Sequence, residues 1–229
     1  MPTIYKQERK YLLMDYYTKK LKDWYEQIAE RYDSWGTRDG EFSVAPISEE
    51  VIQFNKLLDK VKLSDGKILD VATGTGTYLI EVLKRGGVGY GIDISKNMIS
   101  VLKKKIKNSH LESRINVKIG NAAEITFKER FDLILCIGLF DYYDFDEVKV
   151  FLQNMKKVAK KDCQFIVDFP NKNKKETYTF QEKERSVGHE VFIHKPEEIL
   201  SFLKKQGFNI LAQQEAGIET QFLLKLKDS

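Results

Sequence analysis

The chain is poor in cysteine, histidine and proline, with two, three and four of them in 229 residues. Cys136 and Cys163 both fall inside apolar runs, which excludes a disulfide scaffold and reads as two small core residues. Three histidines with neither paired cysteines nor an H-E-x-x-H spacing leave no metal site to expect. No apolar run reaches the roughly 18 residues that a spanning helix needs, so no membrane span is expected. The opening Met1-Pro-Thr-Ile-Tyr-Lys6 lacks the apolar stretch of a secretory signal, and a cytoplasmic location is the expectation. An excess of one charge is also missing, since the net charge is only +4. Lysines gather at 103–107, 156–161 and 172–175, but without the interleaved aromatics that stack on bases. These runs read as solvated helix faces, and a nucleic-acid partner is not expected.

What the chain does have is 42% hydrophobic and 31% charged residues, enough core for one α/β domain over residues 1–229. Strands are expected near 67–71, 88–93, 115–119, 131–137 and 162–168, with helical segments between them. This alternation implies a parallel sheet with right-handed crossovers. A helix opens at Pro196 and ends at Gly207, and 208–214 and 219–227 read as two closing strands. Residues 1–60 read as an N-terminal helical cap: a helix from Tyr11 to Tyr32, a loop from Glu41 to Pro46, and a second helix capped by Ser48. Residues 171–194 form a polar insertion with Thr177-Tyr-Thr-Phe180 and His189-Glu-Val-Phe-Ile-His194, expected as a hairpin. Its place at the carboxyl edge of the sheet makes it either a lid or an idle exposed turn.

The most telling stretch is Lys67-Ile-Leu-Asp-Val-Ala-Thr-Gly-Thr-Gly-Thr77, a strand, a glycine turn and a helix start. Open α/β sheets bind nucleotides at such turns, outside the carboxyl ends of their strands. A dinucleotide loop wants a third small residue where this chain has Leu79, and a phosphate loop wants a lysine after its glycines, which is missing. Asp70 beside the turn would repel a pyrophosphate and suits a ligand with positive charge. S-adenosylmethionine (SAM) has a sulfonium, an ammonium and no phosphate. A second strand, Gly89-Tyr-Gly-Ile-Asp-Ile94, ends in Asp93, at the spacing where a carboxylate receives two ribose hydroxyls, and Ser95 follows as an N-cap.

Asp70-Val-Ala-Thr-Gly-Thr-Gly76 together with Gly91-Ile-Asp-Ile-Ser95 resembles the class I SAM-dependent methyltransferases, in particular the branch of the quinone-biosynthesis C-methyltransferases. Ile119-Gly-Asn-Ala-Ala-Glu124, Phe131-Asp-Leu-Ile-Leu-Cys-Ile-Gly138 and Gln27-Ile-Ala-Glu-Arg-Tyr-Asp33 are similar to three further segments of that family. The resemblance runs from about residue 24 to the C-terminus and is weakest over 171–193. It implies a Rossmann-like three-layer α/β/α sandwich, with a seven-stranded, mostly parallel sheet whose last strand is antiparallel, plus N-terminal helices. It implies SAM as methyl donor, leaving S-adenosylhomocysteine.

The resemblance also implies a cofactor site. Thr73, Gly74, Gly76 and Thr77 would surround the methionine moiety, with Asp70 orienting its amino group and Tyr32 reaching its carboxylate. Asp93 would hold the ribose. Ile94 would pack on the adenine, Asn121 and Ala122 would meet its edge, and Ala72, Met98, Cys136 and Ile137 would complete the cofactor-binding set. Two positions depart from the family. Ala72 replaces the commonest first glycine, and Asn121 stands where an aspartate is usual.

Methyl transfer is an in-line displacement that needs an acceptor, aligned and shielded from water. Asp141, in Gly138-Leu-Phe-Asp-Tyr-Tyr143, falls where the family has substrate-facing residues, often a histidine. It is expected as a base or an orienting group, or else as a helix cap, a role open to Asp144 as well. His189 and His194 are the other base candidates. Tyr25, Trp35, Tyr142 and Tyr143 either wall an aromatic pocket or belong to the core. Neither an Asn/Asp-Pro-Pro-Tyr nor a Pro-Cys follows the fourth strand, which disfavours chemistry on DNA bases, on glutamine amides and on RNA cytosine. A small-molecule acceptor leads, with a monomer or homodimer as the expected assembly. RNA or protein methylation, or non-catalytic SAM binding, are the alternatives.

Overall fold

The computed structural model describes residues 16–34, 47–61, 63 and 65–227. Its strands are β1 (Lys67–Val71), β2 (Val88–Asp93), β3 (Ile115–Ile119), β4 (Phe131–Cys136), β5 (Ala159–Pro170), β6 (Phe208–Ala216) and β7 (Glu219–Leu226). They form one sheet in the order β3-β2-β1-β4-β5-β7-β6. The five strands from β1 to β5 pair in parallel, and β7 is antiparallel to both of its neighbours. The reversal has a local cause. Only two residues, Gly217 and Ile218, separate β6 from β7, and Gly217 has a positive φ of 55°. So short a connection permits only an antiparallel pair, whereas a parallel pair needs a crossover.

The first helix, α1, covers residues 16–28 and runs into a 3₁₀ turn, Ala29–Ser34. It is followed by α2 (Ile47–Leu58), α3 (Thr77–Lys84), α4 (Lys96–Asn108), α5 (Phe145–Val158), α6 (Lys175–Ser186) and α7 (Pro196–Lys205). Two cores fill the sandwich. On one face Ile68, Leu133, Ile166 and Leu223 meet Phe54 and Leu57 of α2 and Val82 and Leu83 of α3. On the other, Leu69, Ile134, Phe165 and Phe222 meet Phe151 and Leu152 of α5 and Leu203 of α7. Adjacent residues of each central strand therefore serve opposite cores, which is why these strands read as continuous apolar runs. Cys136 and Cys163 are free thiols, both buried.

The helix starts carry their sequence signals. Ser95 caps α4 by accepting from the Met98 amide, and Asp144 with Glu147 forms a full capping box on α5. Helix α2, however, begins at Ile47, so Ser48 lies inside its first turn and is not its cap. The expected loop 41–46, Trp35 and the residues before Tyr16 lie outside the described residues.

The expected hairpin over 171–194 is instead a helix, α6. Its Glu, Lys, Gln and Arg residues are good helix formers and outweigh the β-favouring Thr177-Tyr-Thr-Phe180. The helix also has a face to bury. Thr177 and Glu184, seven residues apart, are both buried, and Thr177 Oγ1 donates to the Ile218 carbonyl at 3.2 Å. The chain after α6 returns beside β5 through a single parallel bridge between Asn171 and His194.

Candidate functional site

The carboxyl ends of β1, β2, β4 and β5 lie along one edge of the sheet, in a register that pairs Val71 with Ile92, Asp70 with Leu135 and Cys136 with Val167. The loop after β1 turns sharply there. Ala72, Gly74 and Gly76 all have positive φ, at 59°, 53° and 77°. A Cβ on Gly76 would lie 2.1 Å from Leu102 Cδ1, so α4 packs directly on that backbone. A Cβ on Gly74 would meet no atom within 4 Å, so this glycine faces open space, the kind of cradle a ligand fills.

Asp93 organises the loop. Its Oδ2 accepts the Gly74 amide and its Oδ1 the Ser95 amide, each at 2.8 Å. Burial pushes its pKa up to about 6, against the pull of the Ser95, Gly74 and Ile94 amides. A carboxylate offers about four acceptor positions, so these amides leave room for a further donor. Asp70 sits deeper. It accepts the Thr73 hydroxyl at 2.7 Å, and burial pushes it up to about 7.

These residues open onto a cleft whose cavity volume is about 90 Å³. Ala72, Gly74 and Asp93 form its floor, and Ile94, Met98, Asn121 and Ala122 one side. Asn121 Oδ1 accepts the Ala123 amide at 2.8 Å, which orients its side chain. Ile137, Gly138 and Leu139 form the opposite side. Helix α1 and its 3₁₀ turn supply the roof through Thr18, Leu21, Tyr25 and Tyr32.

That roof is tied down at both ends. The Glu26 carboxylate accepts the Lys96 and Asn97 amides at 2.7 and 2.9 Å, filling the open N-terminus of α4. Asp33 accepts Thr75 Oγ1 at 2.6 Å and pairs with Lys105 at 3.0 Å. Toward the other end Thr18 and Tyr143 share a hydrogen bond at 3.0 Å, and in between the Tyr25 phenol donates to Tyr142 at 2.9 Å.

Of the residues expected around a cofactor, Ala72, Gly74, Asp93, Ile94, Met98, Asn121, Ala122, Ile137 and Tyr32 all line this cleft. Asp70, Thr73, Gly76, Thr77 and Cys136 do not line it. They shape the loop and the strand beneath it, with Thr77 Oγ1 donating to Asp33 at 3.3 Å. Tyr25, Tyr142 and Tyr143 are wall residues. Thr18 and Leu21 are wall residues that the sequence pattern left unmarked, because only the docking of α1 brings them there.

The three base candidates separate. Asp141 lies in the short 3₁₀ turn Phe140–Tyr142, between the wall residues Leu139 and Tyr142, with its Oδ1 buried and unpartnered among the described residues. Burial, with Glu50 and Glu184 nearby, pushes its pKa up to about 7. His189 lies behind the cleft wall. Its Nδ1 meets Glu184 Oε2 at 2.7 Å, and its ring packs edge-on against Trp24 and Tyr142. His194 is stacked on Phe145 at 3.9 Å between centroids, and burial lowers its pKa. None of the three lines the cleft.

A seven-stranded sheet with an antiparallel β7, helices on both faces and a glycine loop between two acidic strand ends defines the Rossmann-like methyltransferase fold. A family model described as a methyltransferase domain matches residues 62–216, more than half of the chain, and the chain belongs to that family. Among curated proteins, the chain is 28% identical over 156 residues to the demethylmenaquinone methyltransferase of Lactobacillus johnsonii, covering 63% of this chain and 58% of that protein. It is 32% identical over 132 residues to the ubiquinone/menaquinone biosynthesis C-methyltransferase of Geotalea daltonii, covering 55% and 54%. The chain thus spans less than two thirds of these relatives. Among solved structures, the magnesium protoporphyrin IX methyltransferase of Synechocystis with bound S-adenosylhomocysteine superposes with a TM-score of 0.72 at 16% identity, covering 91% of this chain and 98% of that one. A SAM-dependent methyltransferase from Clostridium acetobutylicum gives 0.63 at 18% identity, covering 89% and 99%.

Proposed function

We propose that this chain transfers the methyl group of SAM to a small-molecule acceptor. The observation that carries the reading is the convergence of Gly74, Asp93, Met98, Asn121 and Ile137, from four separate stretches of sequence, on one cleft. The donor set fits the cofactor. Gly74 leaves open space for a close backbone approach, Asp93 keeps acceptor capacity for a ribose hydroxyl, and Ile94 and Met98 offer apolar surface to an adenine ring. Asn121 stands at the edge of that surface.

When bound, SAM supplies an electrophilic methyl on a positively charged sulfur. The chain's own contribution is placement and exclusion of water. Helix α1, held by Glu26 and Asp33, closes the cleft over its floor. Tyr32, Tyr142 and Tyr143 border the remaining space, and Asp141, buried between Leu139 and Tyr142 of that wall, is the group proposed to orient an acceptor or take its proton. The lysine runs favour no polyanion. Lys104 pairs with Glu30, Lys105 with Asp33 and Lys160 with Asp132.

Titration calorimetry with SAM and S-adenosylhomocysteine tests the reading, with micromolar binding of both expected. Absence of binding by either at high micromolar concentration would overturn it.

A further inference from the structure

With its roof in place the cleft encloses about 90 Å³, well below the roughly 300–1,000 Å³ of sites that hold a small organic ligand. Its floor and sides come from the sheet and the loops at the strand ends, whereas α1 and its 3₁₀ turn cover it from outside the sheet. A ligand the size of SAM therefore enters only if something moves, and the roof is the element joined to the rest by side chains.

The two ends of the roof are joined by different chemistry. Toward the start of α1 the partners are uncharged. The Tyr17 oxygen accepts the Glu190 amide at 2.6 Å and donates to the Glu190 carbonyl at 2.7 Å. Thr18 shares its hydrogen bond with Tyr143, both of them buried, and Lys20 donates to the Gly188 carbonyl at 2.5 Å. Leu21 is buried in the larger core. Toward the 3₁₀ turn the contacts are ionic. Glu26, Glu30 and Asp33 recur at helical spacing, so they share one face. That face lies on α4: Glu26 on the Lys96 and Asn97 amides, Glu30 on Lys104 at 2.6 Å, and Asp33 on Lys105 at 3.0 Å. Asp33 also accepts the hydroxyl of Thr75, between Gly74 and Gly76, so this end holds the glycine loop as well.

Exposed ion pairs are individually weak and are screened by salt, while hydrogen bonds between uncharged groups are not. The side chains of Glu30 and Lys104 are 74% and 62% exposed, and those of Asp33 and Lys105 are 41% and 30% exposed. The apolar seam beneath them is small, with Ile28 and Ala29 resting on Met98. The ionic end is thus the end that releases first.

We propose that α1 is a pivoting roof. Its start stays pinned at Tyr17, Thr18 and Leu21, its far end lifts from α4, and Glu26, Glu30 and Asp33 form a salt-sensitive latch that sets how often the cleft opens. That SAM and S-adenosylhomocysteine pass through this opening rests on the methyl-transfer reading above.

The test places a thiol at each end of the roof of the full chain, as Ala29→Cys or Leu21→Cys, both sites being buried when the roof is down. The native Cys136 and Cys163 are buried in the core and provide the background. Iodoacetamide is uncharged, so salt does not act on the reagent. Between about 0.02 and 0.5 M sodium chloride the labelling rate of Ala29→Cys should rise about fivefold or more, and that of Leu21→Cys less than about twofold. Adding Glu26→Gln and Asp33→Asn, near-isosteric changes checked by circular dichroism and melting temperature, should make Ala29→Cys label fast at low salt and flatten its salt response. Stopped-flow binding of S-adenosylhomocysteine to the chain without added cysteines, followed by the fluorescence of Trp24, should show association and dissociation rates rising together with salt, as they do for a gate. Equal salt responses at positions 21 and 29, or none at 29, would overturn the pivot. Dissociation that quickens while association stays flat would overturn the gate. A chain with the expected labelling pattern that binds no S-adenosylhomocysteine would sink the methyl-transfer reading and leave the pivoting roof standing.

Discussion

The amide of Gly74 donates to the carboxylate of Asp93 at 2.8 Å, so the loop after β1 is held by the last residue of β2. One side chain thereby sets the loop's shape and presents its remaining acceptor positions to the cleft. Asp93→Ala removes both functions. A hydrogen bond to a charged group contributes about 1.5–3 kcal/mol, so affinity for S-adenosylhomocysteine should fall by about ten- to a hundredfold. Calorimetry on the folded variant measures this, and unchanged affinity would remove Asp93 from the site.

Ala72 carries a left-handed φ of 59°, in a loop whose two other turning residues are glycines. An L-residue there is strained by about 1–2 kcal/mol, which glycine relieves while adding about 0.5–1 kcal/mol of unfolded-state entropy. The Ala72→Gly variant should therefore be more stable by about 0.5–1 kcal/mol, seen as a higher urea midpoint with an unchanged slope. A lower midpoint would show that the alanine methyl contributes packing that outweighs the strain.

The Glu184–His189 pair is expected to act on stability and on the roof, without direct chemistry. Tyr25 donates to Tyr142, Tyr142 to Glu184 at 3.3 Å, and Glu184 meets His189 at 2.7 Å, so the chain of contacts runs from α1 to the end of α6. His189→Ala opens a buried gap and leaves Glu184 short of a partner, a loss of about 2–4 kcal/mol in unfolding free energy. If His189 were the base, the variant would instead lose turnover with a near-native melting temperature.

The raised carboxyl pKa values predict how stability depends on pH. Asp70, Asp141 and Glu50 are pushed up to about 7 and Asp93 to about 6. Each binds its proton more tightly in the folded chain than in the unfolded one. Between the ordinary carboxylate range and about pH 7 the folded state therefore holds more protons, and stability falls as pH rises. The chain without ligand should melt several degrees lower at pH 8 than at pH 5.5. A melting temperature that rises over this interval would contradict the burial of these groups.

Much of this was legible in the sequence. The seven strands and the crossover helices between them follow from apolar periodicity and turn residues, and the observed strands begin or end within a few residues of the expected positions. The N-caps Ser95 and Asp144 are local chemistry as well. The hairpin expected over 171–194 was misread because Thr177-Tyr-Thr-Phe180 favours a strand when taken alone. The helix there buries Thr177 against the turn before β7 and Glu184 against Tyr142 and His189, and the distant partners Ile218 and Tyr142 lie outside any local window.

What the sequence by itself determined is the strands, the crossover helices and the loop with Asp70, Gly74, Gly76 and Asp93, because strand period, turn chemistry and residue type act over a few positions. What only the tertiary structure decided is who meets whom. Helix α1 became the roof through Glu26 and Asp33, and His189, His194 and Asp141 stayed out of the cleft lining. Strand order and helix docking bring residues together across long stretches of chain, and those contacts leave no mark in the spacing of the residues that make them.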